Sequence, residues 1–477
     1  MASPRTESPS EARSRVVAEV IKAYDVRGLV GEQLDADFVR DVGAAFARLL
    51  VREGGGPPAH GLVVGHDMRE SSPELAAAFA EGVTAAGIDV VAIGLASTDM
   101  LYYASGVLDA PGAMFTASHN PATYNGIKLC RAGAKPVGQD TGLDEIAALL
   151  DGGPGEAVET ARSDAASVGS TSERDLREDY AAFLRGLVDL SGARPLTLVI
   201  DAGNGMAGLT APAVFDPLPF EVKPLYFELD GSFPNHEANP LDPDNLRDLQ
   251  REVRVAGRID VGLAFDGDAD RVFLVDEEGE AVSPSAITAL VASRELAKEP
   301  GATVIHNLIT SRAVPEIIGE QGGEAVRSRV GHSFIKATMA DTGAIFGGEH
   351  SAHYYFRDFF GADSGMLAAL HVLAALAEQD RPLSELMAAY ERYAASGEIN
   401  SRVDDAQARM AEVEQEFGDR EGVTTDTLDG LTVTVDDGSW FNLRPSNTEP
   451  LLRLNVEAAD AAAVSALRDE VLALVRR

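Results

Sequence analysis

The sequence predicts an α/β protein: three related α/β domains with mixed sheets, then a C-terminal α+β domain. Three observations carry this. Short apolar runs alternate with Ala/Leu-rich helical stretches, one glycine–phenylalanine–polar pattern occurs three times, and the last segment has a different rhythm. Buried strands alternating with helices are the pattern of largely parallel sheets covered by helices. At 477 residues the chain exceeds one ordinary core, and length alone suggests three or four domains.

The opening, MASPRTESPSEAR, is polar and has no apolar stretch, so 1–13 reads as a disordered tail rather than a secretory signal. Domain one is placed at 14–165, with a strand at GLVVG (61–65), a helix around 73–87 and a strand at DVVAIG (89–94). The stretch 151–175 is rich in Gly, Ser and acid and reads as a boundary or surface excursion. Domain two, 166–282, carries strands at LTLVID (196–201) and DVGLAF (260–265). Domain three, 283–393, carries ATVIHNL (302–308) and GAIFG (343–347). In domain four, 394–477, LTVTVDDGSWFNL folds back at Asp437-Gly438, LLRLNVEA adds a strand, and 459–476 is an amphipathic helix.

The repeated pattern is Gly112–Phe115–Ser118, Gly262–Phe265–Asp268 and Gly343–Phe346–Glu349. Each reads as a buried strand ending in a polar loop, and in α/β sheets ligands bind beyond the carboxyl ends of strands. Gly and Phe are common strand residues, so coincidence stays open as an alternative.

Net charge is −36, from 40 basic and 76 acidic side chains. Such a surface repels nucleic acid and anionic lipid, and no apolar run is long enough to span a membrane. Any anion site must be a local positive pocket in a negative shell. Lysine is scarce (Lys22, Lys128, Lys135, Lys223, Lys298 and Lys336), so lysines inside motifs stand out. The single cysteine, Cys130, excludes an intrachain disulfide and points to a reducing, intracellular compartment.

Four loops carry chemistry. Thr116-Ala-Ser118-His119-Asn120-Pro121 through Lys128 crowds a hydroxyl, an imidazole and an ammonium after a strand. A serine needs a base or nearby charge to act as a nucleophile, and His119 and Lys128 are the local candidates. A capping turn is the alternative for a lone serine. Asp266-Gly-Asp268-Ala-Asp270-Arg271 sets three carboxylates at alternate positions, which repel one another unless a cation intervenes. All-oxygen ligands select Mg²⁺ or Ca²⁺. A calcium EF-hand is disfavoured, because Arg271 stands where its turn needs glycine and the flanks read as strands. The remaining alternative is a solvated acidic turn. Gly347-Gly348-Glu349-His350-Ser351-Ala352-His353 offers hydrogen-bonding groups for vicinal hydroxyls, and its histidine spacing argues against zinc. Arg444-Pro445-Ser446-Asn447-Thr448-Glu449-Pro450 offers a guanidinium, two hydroxyls and an amide to a phosphate, or else is a proline-bounded loop with an incidental salt bridge.

Gly203-Asn-Gly205-Met-Ala-Gly208 fits the dinucleotide fingerprint after a strand. It serves equally as the tight first turn of an α/β domain. The structural reading is preferred, and a nicotinamide-dependent oxidoreductase is one rival; a non-catalytic sugar-phosphate-binding protein is the other.

Read together, Tyr24-Asp25-Val26-Arg27-Gly28, TASHNPATYNGIK, DAGNGMAG, DGDADR, VGHSFIK (330–336), GGEHSAHYYF and RPSNTEP resemble the α-D-phosphohexomutase family, its phosphomannomutase/phosphoglucomutase branch in particular. The resemblance implies four domains around a central cleft. It also implies exchange of hexose 1-phosphate and hexose 6-phosphate, of mannose and/or glucose, through a phosphoserine enzyme and a hexose 1,6-bisphosphate. By resemblance Ser118 is the phosphoserine and, with Asp266, Asp268 and Asp270, holds Mg²⁺. Arg27 and Arg271 flank the phosphate, and Lys128 and His332 are acid/base candidates. Glu349 and Ser351 read sugar hydroxyls. Arg444, Ser446, Asn447 and Thr448 clamp the other phosphate, and Tyr24, His119, Lys336 and His353 are further pocket residues. His350 is closer to the mannose/glucose branch than to the glucosamine branch, which usually has glutamine there; Ala352 departs from the glycine common at its position. The expected partners are small hexose phosphates, with no nucleic acid or membrane, for a cytoplasmic monomer or homodimer.

Overall fold

A computed structural model describes residues 9–445 and 451–477 of the chain. The chain forms two compact units, one of Met1–Val282 with His353–Leu383, the other of Ser283–Ala352 with Ser384–Arg477. Among the described residues no helix is long and apolar enough to cross a membrane.

The first unit contains two mixed sheets. In one, the strand order is Val26–Leu29, Tyr124–Arg131, Gly112–Phe115, Leu62–His66, Val90–Leu95 and Thr171–Glu173. The helix Ala36–Gly54 covers it. Asp35 starts that helix by accepting a hydrogen bond from the Phe38 amide, and Gly55, at φ 70°, ends it. Its apolar face meets the helix Ser72–Ala85, where Phe46 and Phe79 rings lie 6.4 Å apart. Phe79 in turn packs edge-on against Phe115, 5.5 Å away, the last residue of the strand that leads to Ser118. The core thus holds the strand end from which the Ser118 loop departs. Gly112–Phe115 pairs antiparallel with Tyr124–Arg131 so that Met114 lies opposite Lys128, which brings that lysine back beside the loop.

In the other sheet Val261–Phe265 runs parallel to Leu196–Asp201 and antiparallel to Val272–Val275. Phe265 pairs with Val272, so residues 266–271 close a tight turn at the strand end.

In the second unit Thr303–Asn307 lies between parallel strands Glu324–Ser328 and Phe346–Gly348. The C-terminal sheet runs Ala394–Arg402, Leu451–Ala458, Trp440–Pro445, Leu431–Thr434, Thr424–Asp426. Its core includes Phe417, Phe441, Leu454 and Val471.

Two expectations differ from what is found. The first helix begins at Pro9, inside the segment taken as a tail, and Arg13 is tied to buried Asp41 at 2.6 Å. The stretch 151–175 is mostly exposed, as a surface excursion would be, and adds a helix, Glu156–Asp164, that buries only Ala157 and Ala161. Gly343 is not a strand residue. It adopts φ 68° as the cap of the helix His332–Thr342, and the strand starts later, at Phe346. The third copy of the repeated pattern therefore shares its strand end but not its beginning.

His306, on the strand Thr303–Asn307, gives a pH test of the second unit. Burial pushes its pKa down to about 4. Unfolded histidine titrates near 6.5, so the unfolded chain binds a proton that the folded chain refuses. The stabilisation is present above that pH and is lost as pH falls toward 4, about 3 kcal/mol in all. Between about pH 7 and pH 4.5, thermal unfolding of His306→Asn is expected to lose less midpoint temperature than the natural protein. Equal losses would contradict the buried neutral imidazole.

Candidate active site

The first unit brings Ser118 to the acidic loop. Ser118 is 5% exposed, and its Oγ lies 2.9 Å from Asp266 Oδ2 and 3.1 Å from His119 Nδ1. Its backbone is left-handed at φ 49°, as is that of Ala269 at φ 59°. Two non-glycine residues in that region at one site mark stored backbone strain. Gly267 has no room for a side chain, since a Cβ there would come 2.4 Å from the Ser118 carbonyl oxygen. The two loops are therefore in backbone contact.

Arg271 is 2% exposed. It donates from Nε to Asp266 Oδ2 at 2.8 Å and from Nη2 to His119 Nδ1 at 2.6 Å. A guanidinium only donates, so His119 Nδ1 is an acceptor and its ring is neutral. Burial, with Arg271 and Arg27 nearby, holds the His119 pKa well below its usual range. Lys128 Nζ bridges Asp268 Oδ2 at 2.7 Å and Asp270 Oδ2 at 2.6 Å. Burial opposes its charge, but those carboxylates outweigh burial and raise its pKa well above the usual lysine range. In this state Lys128 can give a proton but not take one. Arg27 pairs with Asp25 and donates to Asn120 Oδ1 at 2.8 Å; Tyr24 beside it is half-buried.

Asp266, Asp268 and Asp270 are all buried, each with an oxygen within 4.8 Å of the others'. Burial, then its two carboxylate neighbours, push Asp266 up to about 7 against the pull of Arg271. Asp268 Oδ1 and Asp270 Oδ1 are buried and accept no hydrogen bond among the described residues. Two unused anionic oxygens beside a third carboxylate suit a hard divalent cation. The acidic loop could thus bind a metal ion.

His353 also lies in the first unit, its Nδ1 2.8 Å from Asp363 Oδ2 and 3.9 Å from Asp270 Oδ1. In the second unit Glu349 is buried, with Oε2 3.2 Å from both Asn307 Nδ2 and the Gly331 amide. His350 turns its Nδ1 onto Ser285 Oγ at 3.0 Å, and burial lowers its pKa. Ser351 is half-buried, His332 opens a helix, and Lys336 on that helix is buried. Ala352 has φ 67°, a conformation that favours glycine. Arg444 is next to last in the strand Trp440–Pro445, with Asp429 and Glu398 each 3.9 Å away. Ser446, Asn447 and Thr448 lie outside the described residues.

The fingerprint glycines serve packing. A Cβ at Gly205 would meet the Gly267 oxygen at 2.7 Å, and one at Gly208 the Phe227 oxygen at 2.2 Å. They let the domain's first turn abut the acidic loop, as the structural reading requires.

Sequence reasoning misses Thr98 and Arg69. Thr98 donates from Oγ1 to Asp268 Oδ2 at 2.5 Å. It sits at the first turn of a helix after the strand Val90–Leu95, another strand-end position. Arg69 follows the strand Leu62–His66 in the same way and bonds to the Ser118 carbonyl at 2.9 Å.

Comparison with known proteins gives a consistent picture. Four models described as phosphoglucomutase/phosphomannomutase match in order: α/β/α domain I at 18–153, domain II at 178–279, domain III at 283–393 and the C-terminal domain at 398–474. The chain is 41% identical over 463 residues to the phosphohexose mutases of Xanthomonas campestris pv. campestris, covering 95% of this chain and 98% of that one. It is 41% identical over 448 residues to the phosphomannomutase of Escherichia coli strain K12, covering 92% and 94%. A crystal structure of a phosphoglucomutase/phosphomannomutase family protein from Burkholderia thailandensis superposes with a TM-score of 0.84 at 33% identity, covering 99% and 98%.

Proposed function

The chain belongs to the phosphoglucomutase/phosphomannomutase family and is a phosphohexomutase, and from that premise we propose that it interconverts hexose 1-phosphate and hexose 6-phosphate, of mannose and/or glucose, through phosphorylated Ser118 and a hexose 1,6-bisphosphate. The observation that carries this reading is Ser118 Oγ within 2.9 Å of Asp266, on a loop also reached by Arg271 and His119.

In the first half-reaction the free sugar hydroxyl attacks the phosphorus on Ser118. The new sugar O–P bond forms as the Oγ–P bond breaks, the hydroxyl gives up its proton, and Oγ takes one. After the bisphosphate turns over, Ser118 Oγ attacks the other phosphate and the sugar oxygen leaves. Asp266 Oδ2 is the acceptor within reach of the Ser118 proton, because the lone pair of His119 Nδ1 is already taken by Arg271 Nη2. Lys128 is the charged donor, and Arg271 and Arg27 offset phosphoryl charge. Mg²⁺ held by Asp266, Asp268, Asp270 and an oxygen on Ser118 would neutralise charge on the transferring group. Glu349 and Ser351 read sugar hydroxyls, with His350, His353, Tyr24, Lys336 and His332 as further pocket groups. Arg444, Ser446, Asn447 and Thr448 clamp the phosphate that is not reacting. Carrier, acidic triad and clamp all come from one chain, so a monomer or homodimer in the cytoplasm suffices.

Arg444→Ala is expected to raise KM mainly, by about 2–4 kcal/mol for a lost charged hydrogen bond to phosphate. An unchanged KM removes Arg444 from the clamp. Side-by-side assays with mannose 1-phosphate, glucose 1-phosphate and glucosamine 1-phosphate test the substrate assignment. Faster conversion of the glucosamine ester than of the other two would overturn it.

A further inference from the structure

Arg69 belongs to no motif used above, yet its long side chain is fully buried, at 2% exposure. A guanidinium has five N–H groups. Here all five nitrogen-bound hydrogens have acceptors, and four of those acceptors are backbone carbonyls of one loop. Nη2 donates to Ser118 O at 2.9 Å and Asn120 O at 2.7 Å; Nη1 donates to Pro121 O at 2.9 Å and Tyr124 O at 3.0 Å. The fifth, on Nε, goes to Asp67 Oδ2 at 3.2 Å. Asp67 is itself fixed by the Arg69 amide at 3.0 Å and Ser72 Oγ at 2.6 Å, and the Phe233 ring covers the guanidinium at 5.1 Å.

Burying a cation is costly unless its donors are used, and a salt bridge to Asp67 alone would not need four carbonyls of the carrier loop. The Ser118 carbonyl is the informative acceptor. Holding it fixes the peptide plane that follows Ser118, one of the two planes flanking the left-handed residue (φ 49°) whose Oγ meets Asp266. The same oxygen is the one against which Gly267 packs.

We propose that Arg69 is the positioning residue of the carrier loop: it gathers the carbonyls of residues 118, 120, 121 and 124 and holds Ser118 in line with the acidic loop. It touches neither substrate nor metal. This inference rests on the reading of Ser118 as the phosphoryl carrier.

The test uses the full-length natural protein, Arg69→Lys and Asp67→Asn. Lysine keeps the charge but cannot span four carbonyls; Asp67→Asn leaves the guanidinium in place and loosens its support. Each is measured for thermal midpoint, kcat, KM and, by intact mass, phosphate on Ser118. Arg69→Lys is expected to keep KM within about threefold while kcat falls about a hundredfold, as misplacement of a reacting group by about 1 Å requires. Asp67→Asn should show the same split at about tenfold. If Arg69→Lys does not fold, Asp67→Asn decides. If the natural protein carries phosphate on Ser118 and the folded variants keep their kcat, or lose it only in step with their folded fraction, the positioning role is overturned. A natural protein that never carries phosphate there rejects the carrier reading first, and this inference with it.

Discussion

Replacing Ser118 with alanine is expected to lower mutase turnover by about a thousandfold or more while leaving the protein folded. The reason is chemical. No neighbouring group that touches Ser118 can replace an alkoxide as phosphoryl acceptor in the proposed cycle: Asp266 is already bonded by Arg271, and His119 Nδ1 is occupied by the same guanidinium. The structural cost is small. Alanine removes the contacts of one hydroxyl to Asp266 and His119, about 1 kcal/mol at a site where Arg271 still satisfies both partners. Thermal midpoint and circular dichroism should therefore match the natural protein. Mutase rates near normal in that variant would remove Ser118 from the mechanism.

The second large effect is metal removal. Chelation is expected to cut activity by about a hundredfold or more, with recovery on adding Mg²⁺. The three carboxylates are buried within 4.8 Å of one another, and two of their oxygens have no hydrogen-bond partner among the described residues. A cation that satisfies them binds the folded state alone, so Mg²⁺ should also raise the thermal midpoint. That readout is independent of turnover. Asp268→Asn should abolish the midpoint shift. Full activity in metal-free buffer, with no shift on adding Mg²⁺, would contradict the triad's role.

Much of this was legible in the sequence for a local reason. Strands such as LTLVID and DVGLAF announce themselves by apolar runs, and they are found at Leu196–Asp201 and Val261–Phe265. The loops beyond them hold their chemistry in contiguous residues, so Ser118 and the acidic triad could be named before any coordinates. What stayed hidden depends on contacts distant in sequence. Arg69 lies 49 residues from the Ser118 carbonyl it holds, and Thr98 lies 170 residues from Asp268. Neither arginine nor threonine after a strand signals such a partner. The helix Glu156–Asp164 was hidden for a different reason: its buried face is two alanines, too slight a stripe to stand out in a Gly- and Ser-rich stretch. Gly343 misled because glycine suits both a strand residue beside a close neighbour and the left-handed end of a helix.

The most direct measurement is where phosphate resides after the enzyme meets a hexose 1,6-bisphosphate. Intact mass and peptide mapping should find one phosphoryl group, on the peptide containing Ser118, and that group should leave when hexose 1-phosphate is added. A protein that turns over substrate with Ser118 unmodified, or with the phosphate on another residue, would contradict the account.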